Sequence, residues 1–150
     1  MRWLACTLIG VFGMGVLAAD RGERAEYIGG TLADMPKGGG FIDITGAECF
    51  RFQTRSTFVE VPYDRINMLE YGQKVDRRYL LAIAVSPLLL LSKSRKHFLT
   101  VGYADDQGRQ QAMVFQVAKE KIRPVIVGLE AKTGRKVEYQ DTEARKAGKG

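Results

Sequence analysis

The densest chemical signal in the chain is a block of leucines held between two groups of cations. Lys74, Arg77 and Arg78 precede the apolar run Tyr79–Leu91, and Lys93, Arg95 and Lys96 follow it. Residues 74–96 therefore hold six basic side chains against one acid, Asp76. The whole chain carries 23 Lys+Arg and 17 Asp+Glu, a net charge of +6. Setting aside the first nineteen residues removes only Arg2, so the remainder stands at +5, and the segment 74–96 accounts for all of it. Outside that segment positive and negative charges balance.

Leucines bracketed by cations suit contact with an anionic membrane surface. The thirteen residues 79–91 would reach about 20 Å as a helix, short of the ~30 Å hydrocarbon core, so they do not cross a bilayer as a simple helix. Broken at Pro87, the run can dip into one leaflet with Leu88, Leu89, Leu90 and Leu91, while the six cations hold anionic headgroups. Each cation near such a surface is worth about 1 kcal/mol, and salt screens it. The same run also fits a buried helix over the open end of the domain, or a subunit interface, with the cations solvating its ends. Two partner classes follow: an anionic lipid surface, or a protein, including a second copy of this chain.

The remaining reactive side chains point to structure rather than catalysis. The single histidine, His97, shares strand parity with Leu99, Val101 and Tyr103 and is expected half-buried, with no visible base or nucleophile partner. Cys49 reads as a small apolar strand residue. Asp105-Asp106 is turn chemistry without the ligand count that calcium needs. Gly38-Gly39-Gly40 lacks the Lys, Ser/Thr and following helix of a phosphate loop and reads as a flexible turn. The positive charge is tied to leucines rather than to aromatic stacking positions, which argues against nucleic acid. No cofactor, metal or enzymatic activity is expected.

The elements that must position these residues can be read from pattern. Trp3–Ala19 carries no charge, contains Gly10, Gly13 and Gly15, and ends in small residues. It reads as a signal peptide (1–19), with an uncleaved anchor as the alternative, and so predicts an exported protein, periplasmic or secreted. A linker, 20–26, and a domain, 27–140, follow, and 141–150 reads as a disordered tail. Tyr27–Leu32, Phe41–Thr45, Cys49–Gln53, Thr57–Val61, Ile66–Tyr71, His97–Ala104 and Gln110–Val117 are β-prone, with alternating apolar pairs such as Ile42/Ile44, Phe50/Phe52 and Val59/Val61. Asp105–Gly108 is placed as a tight hairpin loop. Ile122, Val125, Ile126 and Leu129 form one helical stripe, expected to begin near Pro124 and to end at Gly134, with Val137–Tyr139 as a short terminal strand.

Seven antiparallel strands closed by a helix resemble the pleckstrin-homology (PH) superfold, and more closely its GRAM-like and bacterial PH-like members. The resemblance rests on Gly40–Thr45, Phe50-Arg51-Phe52, Val61–Ile66, Phe98–Val101 and Met113-Val114-Phe115. The chain is also similar to small exported bacterial proteins carrying Tyr27–Thr31, Leu69–Lys74 and Ser94–His97, which have no settled function. The resemblance implies a mainly β, α+β domain: a seven-stranded sandwich or partly open barrel capped by a C-terminal helix. Two departures stand out. The loop after the first strand holds only Lys37 beside Asp34, whereas it is basic in lipid-binding relatives, and residues 74–96 are inserted where a turn would suffice. The expected function is non-catalytic association with a membrane surface or lipid through that insertion. The alternative is a protein-interaction or homo-oligomerisation module with the insertion buried.

Overall fold

The computed structural model describes residues 22–32, 34–73, 96–140 and 145–146. Eight strands and one long helix run in the order β1 (Glu23–Gly30), β2 (Gly38–Asp43), β3 (Cys49–Gln53), β4 (Phe58–Pro62), a 3-10 turn (Tyr63–Arg65), β5 (Ile66–Gly72), β6 (His97–Ala104), β7 (Gln110–Val117), α1 (Lys119–Thr133) and β8 (Glu138–Tyr139). They form one open sheet in the order β4-β3-β2-β1-β7-β6-β5-β8. All pairings are antiparallel except that of β8 with β5. The mainly β, α+β architecture and the helix near the C-terminus agree with the sequence pattern. The strands belong to one continuous sheet, and its two ends, β4 and β8, do not pair with each other.

The sheet curls. Phe52 on β3 and Phe115 on β7 lie three strand spacings apart in the sheet order, about 14 Å in a flat sheet, yet their ring centroids are 4.8 Å apart. Phe50 and Tyr27 also reach Phe115, at 5.9 and 5.7 Å. The inward side chains of β2–β4 thus share one core with Leu69, Tyr71, Leu99 and Val101 of β5 and β6. Helix α1 closes that core with Ile122, Val125, Ile126 and Leu129, the stripe read from the sequence.

Local chemistry accounts for the boundaries, including those that differ from expectation. The β6–β7 loop closes on Asp105, whose side chain accepts the backbone N–H groups of Gln107 and Arg109, both at 2.9 Å, while Gly108 takes the positive φ of 73° that the turn requires. Strand β1 begins at Glu23, so residues 23–26, expected as linker, pair with β2 from Glu23↔Ile42 to Glu26↔Gly39. Helix α1 begins at Lys119, five residues before Pro124. The lost proline N–H is tolerated because Pro124 is exposed while Ile122 anchors the first turn, its N–H bonding Ala118 O at 3.0 Å. Gly38-Gly39-Gly40 is not a free turn but the start of β2. A Cβ at Gly40 would sit 2.4 Å from Gln53 O and 2.6 Å from the Phe52 ring, so only glycine lets that ring lie over the strand.

The aromatic centre should dominate stability. Phe115→Ala is expected to cost about 3–5 kcal/mol, whereas Phe58→Ala, at a side chain that is 60% exposed, should change stability by no more than about 0.5 kcal/mol. Tyr27 Oη is buried and has no hydrogen-bond partner among the described residues. Tyr27→Phe is therefore expected to be neutral or to stabilise by about 1 kcal/mol. Urea unfolding of the three variants checks all three statements.

Candidate functional site

Of the residues that the sequence marked for binding, Lys74, Arg77, Arg78, Lys93, Arg95 and Leu88–Leu91 lie outside the described residues. Lys96 is described, half-buried at the entry to β6. The sheet does fix where the insertion is rooted. Gly72 pairs with Phe98 across β5 and β6, so both ends of the segment 74–95 leave from neighbouring points. An antiparallel pair needs a loop of only about 2–5 residues there. The insertion is an addition to a hairpin that is already complete.

Around this root lies a buried polar group. Tyr71 Oη and His97 Nδ1 are 2.5 Å apart, and their rings are parallel to within 3°. His97 is buried, more fully than its strand parity implied. Burial lowers its pKa from the ordinary 6.5, the nearby Lys119 lowers it further, and Glu120 opposes both. Glu70 is also buried and accepts a hydrogen bond from Gln140 Nε2 at 3.0 Å, while Gln140 N–H bonds Tyr71 O at 3.1 Å. These contacts tie the terminal strand β8 and the residue after it to β5. The Tyr71–His97 pair was not legible from sequence, because only the β5–β6 register sets the two side chains diagonally on one face.

Two open concavities occur among the described residues. One, about 750 Å³, is lined by Arg24, Gly39, Gly40, Phe41, Gln53, Thr54 and Arg55. Thirty-one positions separate its two arginines, and nothing local in the sequence joins them. Its one hydroxyl is committed: Thr54 Oγ1 donates to Thr57 O at 2.9 Å and accepts from Ser56 and Thr57 N–H. The other, about 430 Å³, runs from Asp43 to Cys49 and includes Arg51 and Glu60. Arg51 Nε donates to Glu60 Oε1 at 2.7 Å, and Cys49 is a free thiol. The sole histidine is held by Tyr71 on another part of the sheet. No group of three or more His, Cys, Asp or Glu among the described residues could hold a metal ion. Asp105 is pushed up by desolvation, but hydrogen bonds from the Arg109 backbone, Gln111, the Arg109 side chain and the Gln107 backbone outweigh this and bring its pKa to about 2. Its carboxylate is engaged in closing the loop.

Comparison with known proteins places no relative beside this arrangement: no protein-family model, no curated protein and no solved structure matches the chain.

The buried histidine has a pH consequence. A base whose pKa is lowered on folding favours the neutral folded form. Its contribution is therefore present above the ordinary value of 6.5 and is lost as pH falls below it. Stability measured by urea midpoint should decline between pH 7 and 5.5, and His97→Gln should flatten that decline. Asp43 and Asp105, both lowered on folding, titrate below this window.

Proposed function

We propose that this chain is a non-catalytic, exported module of PH-like architecture that associates with an anionic membrane surface through the basic-flanked insertion 74–96. The observation that carries the reading is charge segregation: six cations against one acid in that segment, and a balanced remainder. At about 1 kcal/mol per cation near an anionic surface, six are enough for substantial, salt-sensitive binding. The rooting of both flanks on adjacent strands supports it, since the two cationic groups start from one side of the domain. The PH-like reading draws on the two antiparallel meanders, β1–β4 and β5–β7, joined through β1 and β7 and closed by α1. Among the described residues no helix is long and apolar enough to cross a membrane.

A second reading is an interaction or homo-oligomerisation module with the insertion buried and no lipid binding.

Flotation of the protein with neutral and with anionic liposomes separates the two. Membrane association predicts recovery with anionic vesicles only, lost as salt is raised from about 0.05 to 0.3 M. Combined Lys93→Gln, Arg95→Gln and Lys96→Gln should weaken binding by roughly 100-fold, three contributions of about 1 kcal/mol each. Absence from the floating fraction at low salt overturns the membrane reading, and a concentration-dependent dimer on sizing would then favour the second.

A further inference from the structure

Ile42 and Phe52 are fully buried in the core, so their strand neighbours Phe41 and Gln53 face outward. The register sets Arg24 of β1, Phe41 of β2 and Gln53 of β3 in one row across that outer side. From β1 to β3 is two strand spacings, about 10 Å. Arg55 stands at the far end, two residues beyond Gln53 in the β3–β4 connection. Thr54 fixes that connection, its Oγ1 accepting the N–H groups of Ser56 and Thr57 while its own N–H bonds Thr57 O at 2.8 Å. Between the two arginines the floor is backbone. Gly39 is the outward position next to Phe41 along β2, and a Cβ there would meet no atom within 4 Å. All of these residues line the larger of the two concavities.

The five described arginines on or between strands β1–β7 divide into two groups. Arg51 pairs with Glu60, Arg65 with Asp106 and Arg109 with Asp105. Arg24 and Arg55 have no acidic partner among the described residues, and both open onto this one cleft. The acid beside Arg24, Glu23, is taken by Lys121 at 3.1 Å. Glu26 lies opposite Gly39 on β1 but is not among the residues that line the cleft. Two unpaired guanidiniums therefore face one concavity with no described carboxylate in its walls.

We propose that Arg24 and Arg55 hold a small dicarboxylate across this cleft, one guanidinium to each end. A guanidinium presents a planar fork that meets a carboxylate through two parallel hydrogen bonds. Two forks rooted about 10 Å apart satisfy two carboxylates at once, whereas a single inorganic anion occupies one of them. The short carbon skeleton between the carboxylates lies over the bare backbone of Gly39 and against Phe41, which is half-buried and is the one apolar side chain lining the cleft. Gln53, exposed beside Phe41, adds an amide donor. The volume of about 750 Å³ falls within the range of small-molecule sites, about 300–1,000 Å³. The inference is independent of vesicle binding, because it rests on β1, β2, β3 and the turn after β3 alone.

Titration of the full chain at low salt, followed through the arginine Nε–Hε signals in NMR, tests it with succinate, acetate and inorganic phosphate as probes. The expected result is a saturable shift of the Arg24 and Arg55 signals, with succinate bound at least roughly tenfold more tightly than acetate, because its second carboxylate binds intramolecularly, and more tightly than phosphate. Arg24→Gln and Arg55→Gln should each weaken succinate binding by roughly tenfold, the loss of one charge-assisted pair. Arg65→Gln removes the same charge elsewhere and should leave affinity within about twofold. Gly39→Leu fills the floor and should abolish binding with the urea midpoint unchanged. Equal affinity for succinate and acetate, tighter binding of phosphate, an Arg65→Gln effect as large as that of Arg24→Gln, or no saturable shift overturns the proposal. Should Gly39→Leu disturb folding, the comparison of probes on the unaltered chain and the exposed arginine variants decide alone.

Discussion

The ladder between β1 and β7 is the constraint on which the rest of the structure depends. It joins Ala25–Gly30 to Met113–Val117, pairing segments more than eighty positions apart, and it alone makes one sheet of two local meanders. Without it β2–β4 and β5–β6 would be separate ribbons, each too small to bury a face. With it Tyr27 meets Phe115 from the neighbouring strand, Phe50 and Phe52 fold over from beyond, and α1 has a concave surface to close. The bulge at Ile28 lies within this ladder. By adding a residue to one strand it bends β1 and sharpens the twist, which is what a sheet needs at the point where it curls.

The two ends of the sheet meet their surroundings differently, and their sequences differ accordingly. In β3 the pattern is strict: Phe50 and Phe52 are buried, Arg51 and Gln53 exposed. The outer side of that half carries Arg24, Arg51, Glu60 and Phe58, with the Arg51 guanidinium 5.6 Å from the Phe58 ring centre, as befits a wet surface. In β6 seven successive residues are buried. A strand covered on one side alternates, whereas one covered on both sides does not. The half of the sheet into which the insertion is spliced is thus the half with two dry faces.

This contrast also explains how much could be read beforehand. Where burial is one-sided, as in β3 and the α1 stripe, period and turn residues located the elements closely, Asp105 and Gly108 included. Where a tertiary contact outweighed local preference, the reading slipped. Gly38–Gly40 has the composition of a loose turn, but the ring of Phe52 selects Gly40 as strand. Pro124 signals a helix start, but burial of Ile122 carries the helix one turn further back. The dry outer face was present in the sequence as the near-continuous run His97–Ala104, yet alternation among Leu99, Val101 and Tyr103 drew attention to one face alone. Tyr71 with His97, and Arg24 with Arg55, depend on strand register, which no local pattern encodes.

The same geometry bears on how an insertion with leucines and cations could act. A hairpin loop is an inexpensive place to add chain, because lengthening it raises closure entropy only logarithmically. An added apolar run is costly only if it stays in water. The cations that flank it are joined by the chain to the adjacent strands β5 and β6. Attraction of those cations to an anionic surface rests on charge. Such attraction is additive in the number of cations, reversible, and cut off within roughly 10 Å at 0.1 M salt. A membrane contact of that kind needs no pocket and no basic first loop. Lys37 beside Asp34 leaves the β1–β2 connection without net charge, and the excess positive charge lies instead in residues 74–96 between β5 and β6.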